Sequence, residues 1–398
     1  MAGLSAFLAL VVGATLWLTL RDDQYVAPTP SEPSGRIQPA PAATLLQELT
    51  TAVRRGDGGA AADLAAADDP AAQGALRAFA ENAEDIRLRD VTLRYLDALG
   101  GIDPQGVWRA AATLQYRFSE DRTVATSEIQ VAFAAAGDGV TIAGLGGDHG
   151  ATPVWLAEEV QVSRTRDTLV VAERGAPTYS RMAVRAVRDV RQLVEDWEET
   201  LIVEVVEGGA ALDAALGADD GTFANIAGVT TPVPGADGSG AAVHVFLNRE
   251  SLDAADSVGR QVVFSHEAAH VALDAGFTGL PVWMAEGLAD YIALRDVILP
   301  LSVTAADITQ QVRREGVPES LPADEEFDQG SEYFGAAYEA AWLACRLLAE
   351  RVGEDRLVRF HIEADRVSDF ERDFERAFGL TVGELTSLWQ RELRGLAQ

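Results

Sequence analysis

The pattern of apolar and polar positions divides the chain into stretches of different period. Residues 4–20, "LSAFLALVVGATLWLTL", form a run of 17 residues with no charge. As a helix that run would span about 26 Å, against a hydrocarbon core of about 30 Å. "APTPSEPSGRIQPAPAA" (27–43) has no period and is dense in Pro, Ala and Ser, the composition of an extended linker. From residue 44 to about 100 apolar positions recur at helical spacing, as Leu45, Leu46, Leu49 and Val53 do, broken by "RRGDGG". After "LGGIDPQG" the period shortens to two. "VWRAAATLQYRF", "TVATSEIQVAFAA", "GVTIAGL" and "EEVQVSRTRDTLVVAE" read as strands joined by Gly, Asp and Arg turns. Beyond Pro177, "TYSRMAVRAVRDVRQLVEDW" reads as amphipathic helix, while "TLIVEVVE" (200–207) and "AAVHVFLNRE" (241–250) read as strands. The remainder is largely helical, and no internal repeat is present.

These periods predict an α+β chain in four parts: a transmembrane signal anchor (1–21), a Pro/Ala-rich linker (22–43), an α+β domain (44–176) and a second domain of small sheet plus helices (177–398). Helices followed by a curled antiparallel sheet in 44–176 resemble the NTF2-like fold, with no residue signature behind the resemblance and no catalytic constellation within it. A cleaved signal peptide, the alternative for the N-terminus, has a shorter apolar run and a small-residue site soon after it. Here "RDDQYV" follows, and the nearest Ala-x-Ala, Ala40 to Ala42, lies too far downstream. The expectation is an uncleaved anchor with the folded part held outside the cytoplasm on its stalk. Arg21 with Asp22 and Asp23 leaves the orientation poorly specified.

Composition narrows the function classes. The formal net charge is −30, and all 32 basic residues are arginine. A surface of that sign argues against nucleic-acid binding, which requires a basic face to displace phosphate counterions. Cys345 is the single cysteine, so neither an intrachain disulfide nor a thiolate metal cluster can form. Its setting, "AAWLACRLLAE", is the apolar face of a helix. Of the five histidines, His149 reads as a loop residue and His244 and His361 as structural, because nothing near them in the sequence completes a site.

The other two fall in "QVVFSHEAAHVALDAG" (261–276). On a helix, His266 and His270 lie on one face with Cβ atoms roughly 5–6 Å apart, so two imidazoles converge on one metal. Glu267 lies beside that pair, where it meets a water on the metal without ligating it. A surface helix with incidental histidines is the bland alternative, but Val262, Val263, Phe264, Val271 and Leu273 make this helix apolar on several sides. A catalytic zinc needs a third protein ligand and leaves a fourth position for water. Glu286 in "GLPVWMAEGLADYIAL" (279–294), 16 residues beyond His270, is the candidate. Asp290, one turn later, is placed to accept the outer N–H of a ligand histidine.

"HEAAH", "PVWMAEGLADY" and the later "YFGAAYEAAWLACRLLAERVGEDRLVRF" together resemble the gluzincin metallopeptidases, the compact peptidase-MA-like domains related to thermolysin and the M1 aminopeptidases, over roughly residues 177–395. The resemblance implies a zincin-like domain with Zn2+ on His266, His270 and Glu286, Glu267 as general base and Asp290 as buttress to a zinc histidine. It also implies a tyrosine that steadies the tetrahedral intermediate: Tyr338 aligns best, with Tyr333 as competitor. The His270–Glu286 gap is shorter than in thermolysin or the M1 enzymes, and the Gly-x-Met-Glu-Asn motif that grips a free N-terminus is missing, which counts against conventional aminopeptidase activity. The function implied is hydrolysis of a peptide or protein substrate at a membrane. The alternative is a noncatalytic binder of peptides or partners on a peptidase-like scaffold.

Overall fold

The structure is a computed structural model describing residues 36–137, 139–238, 240–273, 279–363, 367 and 369–398. The expected anchor (1–21) and most of the expected linker lie outside the described residues. Among the described residues no helix is long and apolar enough to cross a membrane. The chain is a mixture of α and β, as its periods predict.

The helical first segment begins earlier than the linker reading places it. Helix α1 runs Pro39–Arg55, and its proline, read as a mark of extended chain, occupies the first turn, where its missing N–H costs no hydrogen bond. It buries Ala42, Leu46, Leu49, Ala52 and Val53 and ends at Gly56 with φ 65°. Helix α2 (Pro70–Ile86) starts the same way, with the Asp69 side chain accepting from Ala72 N. Both cover a four-stranded antiparallel sheet in sequence order: β1 (Arg89–Ala98), β2 (Val107–Arg117), β3 (Ala125–Ala136) and β4 (Gly139–Leu145).

The second sheet contains five strands in the order β5-β6-β7-β9-β8, made of Gln161–Arg164, Thr168–Ala172, Leu201–Val206, Val243–Asn248 (β9) and Gly228–Pro232 (β8). Strands 161–172, expected to close the first domain's antiparallel sheet, instead join this one, with β6 parallel to β7 through helix α3 (Ala176–Arg191). The reason lies in β6 itself: every residue of "TLVVA" is buried, so it is a central strand covered on both faces rather than one with a wet side. Helix α4 (Gly209–Leu216) lies between β7 and β8 in the chain, and β8 pairs antiparallel with β9 as the sheet's edge.

Both faces of this sheet are buried, against different partners. Along β7, Leu201, Val203 and Val205 join one apolar core and Ile202 and Val206 the other. The first core holds α3 and the C-terminal helices α5 (Ser257–Leu273), α6 (Val282–Leu294), α7 (Ala306–Glu315), α8 (Phe334–Val352), α9 (Glu354–Ile362), α10 (Phe370–Phe378) and α11 (Val382–Leu396). The second core holds α1, α2 and the antiparallel sheet, with Trp108, Phe118, Phe133 and Trp155 fully buried.

Helices α6 and α8 cross at a glycine. A Cβ at Gly287 would meet the Ala341 carbonyl and come within 2.9 Å of Cys345 Sγ. Gly287→Ala therefore has to push α6 away from α8, and overpacking of this kind costs about 1–3 kcal/mol. The expected result is a lower urea midpoint with an unchanged slope; an unchanged midpoint would show that the helices part without cost.

Candidate metal centre

Helix α5 crosses beneath the sheet, burying Phe264, Ala268, Ala269 and Leu273. Two side-chain bonds fix its rotation against α3: Ser265 Oγ donates to Asp189 Oδ2 at 3.0 Å, and Gln261 Nε2 donates to the Met182 carbonyl at 3.2 Å. With that face pinned, His266 and His270 turn together toward α6, where Glu286 and Asp290 sit one turn apart.

The three predicted ligands meet. His266 Nε2 and His270 Nε2 are 3.0 Å apart, and Glu286 Oε2 lies 3.2 Å from each. Donors about 2.1 Å from a tetrahedral metal lie about 3.4 Å from one another, so this triangle is close to one face of such a tetrahedron. Asp290 Oδ1 accepts from His266 Nδ1 at 2.7 Å, which holds the ring with Nε2 facing the other two donors. The same residues form a group of possible metal-holding side chains. All four are largely buried, with side-chain exposures between 12% and 19%.

The cluster also favours positive charge. Burial works against the His266 imidazolium, but the Asp290 and Glu286 carboxylates more than offset it and hold the ring well above its ordinary range. Burial likewise raises the Glu286 carboxyl, and the His270 and His266 rings override it, holding Glu286 well below the carboxylate range. Two imidazole nitrogens and a carboxylate that together favour a cation fit a divalent metal of borderline softness.

Around the triangle lies a cleft of about 290 Å3, lined by Gly228, Val229 and Thr230 of β8 together with Glu267, Val282 and Tyr338. Glu267 is buried against β8: the Thr230 hydroxyl lies 2.7 Å from its Oε2, donating, and 3.1 Å from its backbone carbonyl. Gly228 makes the room, since a Cβ there would sit 2.6 Å from Leu247 Cδ2 and 3.0 Å from Glu267 Oε1. Tyr338 stands in the cleft wall with its ring centroid 6.1 Å from that of His266, braced by Phe327 and Phe334 at 5.1 Å each. Burial, then the Glu286, Asp290 and Glu267 carboxylates, push its phenol well above the usual range, so it stays protonated. Tyr333 is elsewhere, donating to Glu315 Oε2 at 3.0 Å.

Two features were not read from the sequence. Thr230 is one: it meets Glu267 only through the pairing of β8 with β9. The other surrounds His244, which is fully buried between two carboxylates. Its Nδ1 is 2.7 Å from Glu204 Oε1 on β7, and its Nε2 is 3.2 Å from Asp121 Oδ2 in the β2–β3 connection. His361 is also buried, has no hydrogen-bond partner for either ring nitrogen among the described residues, and is pushed down to about 4 by burial. His149 pairs with Glu128 on the surface.

No family model matches the chain, and no curated protein matches it. Among solved structures it is similar to a mutant of a two-domain M1 zinc metallopeptidase bound to L-arginine, at 13% identity and a TM-score of 0.33. The match covers 73% of this chain and 61% of that one, so the chain spans less than two thirds of that protein's length. A likeness at this level assigns neither family nor activity, and the site has to be read from its own geometry.

Proposed function

We propose that the chain is a zinc-dependent, gluzincin-like peptidase, anchored by residues 4–20 with its folded part outside the cytoplasm, and that it cleaves peptide or protein substrates. One observation carries the reading: three donors 3.0–3.2 Å apart, with a buried glutamate beside them, open into a cleft along a sheet edge. His266, His270 and Glu286 would hold the metal and Asp290 would orient His266. Zinc held there would supply Lewis acidity and lower the pKa of a water to about 7.

The chain's own residues account for the rest. Glu267 takes the proton of the attacking water and delivers it to the departing amine, while Thr230 keeps its carboxylate turned toward the cleft. Tyr338, held protonated, donates a hydrogen bond to the oxyanion that develops on the substrate carbonyl. An extended peptide lies along the outer edge of β8, which has no neighbouring strand on that side among the described residues. The helices and meander of the first half remain, in this reading, an NTF2-like module of separate role.

Glu267→Gln is the test. Its expected result is unchanged zinc content together with a loss of about 10²- to 10⁴-fold in hydrolysis of a peptide library followed by mass spectrometry. A variant that cleaves as fast as the wild type would remove Glu267 from the chemistry. A wild type that binds peptides without cleaving any would favour the noncatalytic binder.

A further inference from the structure

The segment after α6 is unusual for a chain of this charge. From Val297 to Ala306, "VILPLSVTAA", there is no charged residue. Three of its large side chains are exposed, Ile298 at 100%, Leu299 at 41% and Val303 at 53%, while Leu301 between them packs against the helical core. The other exposed large apolar residues, such as Leu96, Val184 and Val258, are scattered singly over other elements. Isolated apolar residues on a surface need no explanation, but three within six positions beside an exposed proline form a patch.

The patch is not part of the cleft. Glu286 and Val282, which line the cleft, lie at the N-terminal end of α6. The patch follows its C-terminal end at Leu294, about 12 Å further along the axis at 1.5 Å per residue. Arg295 at its base is already engaged with Glu354 at 2.8 Å.

We infer that Ile298, Leu299 and Val303 form a membrane-dipping knuckle that seats this face of the protein in the lipid interface, leaving the cleft at the opposite end of α6 open. The inference rests on the anchored reading above. The occupant follows from the chain that lies outside the described residues. Its uncharged run ends at Leu20, and residues 21–38 join it to α1. Eighteen residues reach at most about 60 Å, so a folded body on this tether is confined to the bilayer surface. Electrostatics cannot hold it there, since a net charge of −30 is repelled by anionic headgroups. An apolar contact works on zwitterionic lipid and is what the knuckle offers.

The chain's thiols make the test direct, because Cys345, its single cysteine, is fully buried. Full-length Ile298→Cys, labelled with an environment-sensitive fluorophore and reconstituted into phosphatidylcholine vesicles, is compared with the same label at Leu96→Cys. The expected result is a blue-shifted emission at 298 that is quenched by lipids spin-labelled high on the acyl chain, with neither effect at 96. Equal quenching of both labels by aqueous iodide overturns the knuckle. A blue shift without lipid quenching also overturns it and assigns the patch to a protein contact, with a second copy or with the chain's own N-terminus. Flotation of the same samples separates the two readings: protein that does not float with the vesicles fails the anchor itself, whereas floating protein with a solvent-exposed label fails only the knuckle.

Discussion

His266→Ala is expected to empty the metal centre. Wild type purified from zinc-replete medium should carry close to one zinc per chain, and the variant less than about a tenth of that, because two donors do not make a stable tetrahedral site. The geometry gives the reason. His266 is the member of the cluster that touches everything else: its Nε2 meets His270 and Glu286, and its Nδ1 meets Asp290. Its loss removes a donor and also leaves the buried Asp290 carboxylate without that partner. Zinc held only by the folded state stabilises it by about 4 kcal/mol when free metal exceeds the dissociation constant a thousandfold. A chelator should therefore lower the melting temperature of the wild type and leave that of His266→Ala where it is. Elemental analysis decides the matter. Equal zinc in both proteins would sink the ligand assignment, and none in either would sink the metal reading altogether.

The second large effect concerns stability. His244→Ala is expected to cost about 3–5 kcal/mol, the usual penalty for removing one member of a buried ionic group and leaving the others uncompensated. The two carboxylates left behind, Glu204 and Asp121, come from opposite sides of the boundary between the antiparallel sheet and the five-stranded one. Burial alone would drive the imidazole toward neutrality. Asp121 and Glu204 override it and hold His244 at about 9. Tyr116, fully buried nearby and pushed well above its usual range, first by burial and then by the same two carboxylates, supplies no competing charge. Because the folded value lies above the unfolded value of about 6.5, the contribution is complete below that pH and disappears as the pH rises through 9. The shift corresponds to a contribution on the order of 3 kcal/mol. Melting of the wild type should fall between pH 7 and 9.5 while His244→Ala, already lower by on the order of 5–10 °C, changes much less. The chain has no lysine to titrate in that window; the His266 imidazole, also held above its ordinary range, is common to both proteins and cancels in the difference between their curves. Parallel pH curves for the two proteins would remove His244 from the account.

The candidate site was legible because its determinants are local. The i, i+4 spacing of His266 and His270 sets their common face whatever the tertiary fold, and Glu286 and Asp290 share a helix that begins at a proline. Thr230 could not be read in the same way. It reaches Glu267 only because β8 takes the edge beside β9, a pairing no periodicity reveals. The same holds for His244, whose partner Asp121 is 123 residues away in the connection between two strands of the other sheet. The strands at 161–172 were visible as strands but assigned to the wrong neighbours, since an apolar run states burial and not whose side it is buried against. Pro39 shows the reverse error, a helix start taken for linker because proline serves both.

The five-stranded sheet behaves as a party wall. Each room of the molecule uses one of its surfaces, and the helical room has no other sheet to close it among the described residues. Cutting the chain at 160 or at 176 would strip one surface bare, so the half that carries the His266–His270–Glu286 cluster has no clean edge at which it could be lifted out, shuffled onto another protein or shed by proteolysis as a folded unit. The first half travels with the His266–His270–Glu286 cluster, and any pressure on its packing is felt on the strand beside the one whose Thr230 hydrogen-bonds Glu267.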